Sequence, residues 1–437
     1  MRNGFSIRNS GRRIGWADTA RGVAILLVII GHTCPPPYTT AFIYAFHMPL
    51  FFVLSGLFLK VDEPLGSFVQ KKARTLLVPF VIYNLVLLAS DWCIVALSPN
   101  HHEAVDIPAR LLGTLTGWHG ASWNSSLWFL PCLFMAQLLI VGTQRISDYF
   151  ARRSTSGRFD TSKDAPPSAR PQVTSTARGT LDSWLTPCLW ILLSLIGVAY
   201  CHWIAKPLPM SLDSAFVATG FLLMGRQIVK LNLRKEAWWY WVITLFIFIS
   251  ATLDNFDRLG GGDNHVDLST DTLGNPLSFY LAACGGTLLL IRACQWVEER
   301  TRCSESSTFS FADFRHDSAI SSKLDGARCS ESSTFQHFNL STFQHFNLST
   351  FQPFTWLGRN SLVIYCLHRI PMNLGIAIWN AALSSKLPPL SPTSLLLLRS
   401  LFLLLFTLLL LLPAVYIVNR WFPWTLGKLK GEKLHLQ

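Results

Sequence analysis

Arg21, His32 and His47 stand inside the apolar stretch "RGVAILLVIIGHTCPPPYTTAFIYAFHMPLFFVLSG", residues 21–56. A charged side chain at helix-centre depth costs about 2.5–3.5 kcal/mol on insertion scales, so a simple membrane anchor has no use for them. Their types suit group transfer. Imidazole ionises near neutrality and can take the proton of an attacking hydroxyl, while guanidinium holds phosphate or carboxylate through several donors. Arg21 and His32 are eleven residues apart, which on a helix leaves them about 20° from one face and about 16 Å apart along the axis. Asp18 lies three residues before Arg21, close enough to pair with it and reduce the cost of its burial. One helix thus presents a cation near one end and an imidazole near the other.

The elements that carry these residues follow from composition. Half of the 437 residues are hydrophobic and 14% are charged. The apolar residues come in runs of about twenty, the length that crosses a ~30 Å hydrocarbon core. The chain reads as an all-α integral membrane protein with about ten transmembrane helices, at 16–34, 38–59, 76–97, 126–145, 184–204, 213–229, 238–253, 275–294, 355–380 and 393–418. Loops of one parity hold 29 Lys and Arg, whereas those of the other hold four, Arg110, Lys206, Arg258 and Lys386. Cytoplasmic loops collect basic residues, so both termini are expected in the cytoplasm. Arg12 and Arg13 precede the first apolar run as in a signal peptide, but no small-x-small cleavage site follows, and the first helix reads as uncleaved.

The net charge of +12 is spread over six inward loops rather than gathered on one module, which argues against a nucleic-acid partner. Ten cysteines are scattered without a CxxC pair and read as free thiols. Residues 146–183 are rich in Ser, Thr, Pro and Arg, a composition that buries no core and reads as a disordered cytoplasmic linker. In 301–354, "RCSESSTF" and "STFQHFNL" each occur twice, a low-complexity repeat loop inserted before the ninth helix. Its His337 and His345 have no Cys or carboxylate beside them, and no metal site is expected.

Five segments carry a family resemblance. "WADTARGVAILLVIIGHT" resembles the opening helix of the acyltransferase-3 family of membrane O-acyltransferases, whose Arg-x10-His spacing is filled by Arg21 and His32. "FHMPLFFVLSG" is similar to the family's second-helix motif, with His47, Pro49, Phe51, Phe52, Ser55 and Gly56. "KKARTLLVPF" resembles its basic entry to the third helix through Arg74 and Pro79, and "LWFLPCLF" and "LGRNSLVIYCLH" resemble later signatures. The resemblance implies a single domain over 1–437 with a helical core at about 14–418, multi-pass in the cell inner membrane. It implies transfer of an acyl group, here expected to be acetyl, from acetyl-CoA to a hydroxyl of a cell-surface or lipid-linked saccharide.

On that reading His32 is the general base with His47 beside it, and Arg21, Arg74 and Asp18 belong to the donor site. Direct transfer and an acyl-histidine route both need a base at that place. Trp128 either packs or stacks on a sugar ring. Ser361, Tyr365 and His368, spaced i, i+4, i+7, either line an acceptor cavity or bond neighbouring helices. The alternative is a transporter or flippase of a sugar or lipid-linked glycan, in which the same residues relay protons. The chain shows no second copy of the Arg-x10-His helix in its C-terminal half.

Overall fold

A computed structural model describes residues 14–97, 107–117, 127–156, 178–228, 233, 237–312, 352–383 and 391–428. Among them the regular structure is helical, apart from one isolated bridge between Asp267 and Thr272. In chain order these are α1 (Gly15–His32), α2 (Pro37–Leu57), α3 (Leu65–Lys72), α4 (Val78–Leu97), α5 (Ile107–Thr116), α6 (Phe129–Ser156) and α7 (Arg178–Trp203). There follow α8 (Leu212–Ile228), α9 (Trp238–Arg258), α10 (Pro276–Ala312), α11 (Gln352–Arg359), α12 (Ser361–Leu367), α13 (Arg369–Ile378) and α14 (Pro392–Trp421). A π-helical stretch, Ala73–Leu77, joins α3 to α4. Prolines fix several starts: α2 begins at Pro37, and α14 begins at Pro392 after Ser391, whose hydroxyl accepts from the Ser394 N–H at 3.2 Å. Pro lacks the N–H that a first helical turn cannot use, and Ser satisfies one that it can.

A helix lies at each of the ten expected segments, but fewer than ten are long and apolar enough to cross a membrane by themselves. Six described runs meet that standard: Pro37–Leu57, Leu65–Cys93, Phe129–Tyr149, Trp238–Arg258, Pro276–Thr301 and Pro392–Trp421. A seventh arises if Ser361–Leu367 and Arg369–Ala382, which meet at a 44° bend, count as one span. α8 has 17 residues, and the apolar part of α7, Pro187–Trp203, is also short. α1 misses because Asp18, Thr19 and Arg21 occupy its first half, the same residues that make it chemically interesting.

Helix also enters both low-complexity segments. α6 continues to Ser156 and α7 starts at Arg178, while α10 continues to Ala312 and α11 starts at Gln352. The Arg and Ala residues after position 150 extend a helix at little cost. Residues 157–177 and 313–351, including His337 and His345, lie outside the described residues.

α1 is enclosed by α2, α10, α11 and α12. Its Ala17, Ala20, Ala24, Ile25 and Ile29 are fully buried, whereas Phe246 of α9 and Leu409 of α14 stand exposed as lipid-facing residues do. Two glycines set how closely α11 approaches. A Cβ on Gly22 would strike the Phe354 carbonyl, and one on Gly358 would strike the Asp18 carbonyl. Both contacts fall at one crossing, where Gly22 and Gly358 let the backbones of α1 and α11 touch. Helical hydrogen bonds continue across Asn360, from its N–H to the Trp356 carbonyl and from the Ile364 N–H to its own carbonyl, both at 3.1 Å. Its side chain accepts a 2.7 Å hydrogen bond from Asn419 Nδ2 of α14 and donates at 2.9 Å to the Trp356 carbonyl. Replacing Gly358 by Val should force the two backbones apart, lowering the melting temperature of the purified protein and weakening whatever binds beside Asp18. An unchanged melting curve would contradict this contact.

The loop between α9 and α10 is held at Asp271, whose backbone is left-handed at φ 58°. Cys201 Sγ donates to Asp271 Oδ1 at 3.2 Å, and Ser214 Oγ lies 3.5 Å from the same oxygen. Burial, then the neighbouring Asp213 carboxylate, pushes the Asp271 pKa up. A carboxyl that holds its proton more tightly when folded contributes stability at low pH and loses it as pH rises past the ordinary carboxylate range towards its raised folded value. Asn cannot ionise and tolerates left-handed backbone. Asp271→Asn should therefore melt higher than wild type at about pH 8, with the gap narrowing at about pH 5, where carboxyls with raised pKa are protonated. A gap independent of pH would refute the raised pKa.

Candidate functional site

Polar clusters occupy both ends of α1. At the Arg21 end, Arg21 Nη1 donates to Asp18 Oδ1 at 3.1 Å, and Arg359 Nε lies 3.6 Å from Asp18 Oδ2. Asp18 is buried, and the Arg21 guanidinium sits 4.8 Å from the centre of the Phe58 ring. These side chains border a cavity of about 360 Å³, whose walls include Ile14, Asp18, Arg21, Phe58, Arg359 and Ser361. That volume is within the range of small-molecule sites. One carboxylate between two guanidinium groups leaves the cavity a net positive wall, suited to phosphate or carboxylate.

Arg359 was not singled out from the sequence. It sits in "LGRNSLVIYCLH", where an arginine beside a cytoplasmic loop reads as a topology signal. Arg74, by contrast, is not among the residues lining this cavity. It lies in the π-helical stretch, its carbonyl against Gly427, and its Nε is buried with no hydrogen-bond partner among the described residues.

At the other end of α1 the His32 ring stacks on His368, with centroids 5.2 Å apart and planes 19° apart. Since Ser361 shares the cavity with Arg21 while His368 meets His32, α12 runs parallel to α1. His368 Nδ1 is 2.8 Å from the Tyr365 carbonyl, and His47 Nδ1 is 2.8 Å from the Ile43 carbonyl. A carbonyl only accepts, so in each ring Nδ1 carries the hydrogen and the lone pair is left at Nε2. His368 Nε2 is buried and has no partner among the described residues.

Tyr44 touches His47 on one side, at 4.9 Å between centroids, and His265 on the other, at 4.2 Å. His32, Tyr44 and His265 are half-buried, while His47 and His368 are buried. His265 comes from the α9–α10 loop, and nothing in its local sequence signals that it joins residues more than two hundred positions away.

The polar stripe of α12 is divided. Ser361 lines the cavity and His368 stacks on His32, but Tyr365 is buried against Phe129, with centroids 5.9 Å apart. Trp128 is also buried and lies edge-on to Phe129. Both sit in the packed core, where rings that fill space are expected. Among the described residues no three His, Cys, Asp or Glu side chains are grouped to hold a metal ion.

Residues 14–312 match the family model of an acyltransferase domain. No match was found among curated proteins or among solved structures. The matched segment contains α1 and α2, and so Asp18, Arg21, His32 and His47. Arg359, Ser361 and His368 lie beyond it, on helices that pack against α1. With more than half of its length matched, and with its apolar helices, the chain belongs to the acyltransferase-3 family and is a membrane acyltransferase.

Proposed function

We propose that this acyltransferase moves an acetyl group from acetyl-CoA to a hydroxyl of a cell-surface or lipid-linked saccharide, with His32 as general base. The observation that carries the reading is the division of α1: a cationic cavity at one end and stacked imidazoles at the other, about 16 Å away by helix rise. The charge split of the loops supports ten spans with both termini in the cytoplasm and the Arg21 end facing inward, in the inner membrane. Arg21 and Arg359 then meet the phosphates of a cytoplasmic donor, and Asp18 keeps both guanidinium groups oriented when the cavity is empty. Acetyl-CoA supplies a thioester, joined to its phosphates by a long flexible arm. The family resemblance alone assigns Arg74 to the donor's charged portion, since it does not line this cavity.

His32 is the base because it is half-buried and thus open to a substrate, whereas His368 is enclosed. Its imidazole takes the proton of the acceptor hydroxyl as that oxygen bonds to the acyl carbon. As the carbon–sulfur bond breaks, the imidazolium returns a proton to the sulfur, which leaves as the thiol. His368 fixes the plane of the His32 ring by stacking, and His47 completes the polar wall. Family membership favours this chemistry over the transporter reading, although a helix broken at His368–Arg369 is a feature that transporters also use.

Loss of binding and loss of chemistry fail differently. Arg21→Ala and Arg359→Ala should each weaken acetyl-CoA binding. His32→Ala should bind acetyl-CoA nearly normally and transfer acetyl more slowly by roughly 10²–10⁴, the range for general acid–base catalysis. Donor titration of the purified variants, followed by single-turnover transfer, separates the two. Near-wild-type transfer by a correctly inserted His32→Ala would remove this mechanism.

A further inference from the structure

The arginines at the two ends of α1 differ in their counter-charges. Arg21 and Arg359 share Asp18. In the loop-parity set facing the His32 end, Arg110 pairs with Asp91 at 2.6 Å and Arg258 with Asp254 at 2.9 Å. Arg369 and Arg399 have no carboxylate partner among the described residues, and Arg399 Nε is buried without a hydrogen bond.

Both lie at the His32 end. Arg369 follows His368 directly, at the 44° break between α12 and α13, and is close enough for its charge to act on His32, His368 and Tyr44. Arg399 precedes Ser400, whose hydroxyl reaches the carbonyl of Thr33, the residue after His32, at 3.5 Å. A guanidinium group held in an apolar bundle without an anion is costly, and interrupted helices at membrane depth are tolerated where they line a cavity or a ligand path. Arg369 beside the proposed base, with Arg399 at the same end of the bundle, therefore points to what is missing, a negative charge brought by a ligand.

We infer that Arg369, assisted by Arg399, receives an anionic group of the acceptor, so that the saccharide modified by this protein carries a carboxylate or a phosphate close to the hydroxyl that is acylated. The inference rests on the transfer reading above and narrows its acceptor to acidic glycans. Arg369 positions the acceptor rather than moving a proton. Its planar fork engages two oxygens of the anion while His32 faces the hydroxyl. A neutral sugar would leave both cations unpaired at the moment of reaction, and would be selected against for that reason.

The test compares envelope glycans from the native host with and without the protein, by mass spectrometry. The expected result is an acetyl mass difference on a repeat unit that bears a carboxylate or phosphate. Carbodiimide reduction and aqueous hydrogen fluoride, applied separately, show which of the two is present. Acetyl on a unit with neither overturns the acidic acceptor and leaves the transferase reading standing, whereas no acetyl difference at all overturns the transferase reading itself. In the same host, Arg369→Gln should lower acetylation of that unit tenfold or more, as expected on losing a charge-assisted hydrogen bond. Arg369→Lys should restore part of it. Acetyl-CoA binding by the purified Arg369→Gln protein should match wild type and reports that it is folded. Undiminished acetylation by Arg369→Gln, as if the arginine served only a lipid headgroup, would refute the assignment.

Discussion

A buried carboxylate held between two arginines is the constraint from which the rest of this structure follows. Asp18 in an apolar bundle is tolerable only with a cation against it, and Arg21 supplies one from the next turn of the same helix. Arg359 supplies the second from α11, and only because glycines at 22 and 358 let two backbones touch. That contact sets where α11 crosses α1. Helical hydrogen bonds across Asn360 then carry the chain on into α12 along α1, and the length of α12 decides that His368, rather than another residue, arrives beside His32.

The two ends of the site are therefore not independent inventions. One helix pair spans them, with the cationic cavity and the imidazole stack set by the same packing. The family match ends at residue 312, yet the partners of Asp18 and His32 come from beyond it. The first helix supplies the groups with obvious chemistry, and the later helices supply their electrostatic and steric surroundings. On the proposed reading, an enzyme built this way would retain its donor site while varying residues such as Arg369 at the acceptor end.

Much of this was legible in the sequence, for identifiable reasons. The helical bundle was, because twenty-residue apolar runs have few other physical solutions. Asp18, Arg21 and His32 were, because three polar residues on one face of an apolar helix need an explanation. The number of independently spanning helices was not: α1, α7 and α8 are too short or too polar by composition and depend on their neighbours. Arg359 and His265 were hidden because their significance lies in contacts with residues hundreds of positions away. The i, i+4, i+7 stripe of α12 was visible, but its periodicity could not tell that Tyr365 packs against Phe129 while its neighbours on the stripe face two different sites.

The central claim is that α1 joins a donor site on the cytoplasmic face to an imidazole near the opposite face. Sealed vesicles of known orientation test it most directly. With labelled acetyl-CoA added only to the outside, inverted vesicles should transfer label to glycan in their lumen, and right-side-out vesicles should do so only after permeabilisation. Transfer by intact right-side-out vesicles from externally added acetyl-CoA would contradict the account.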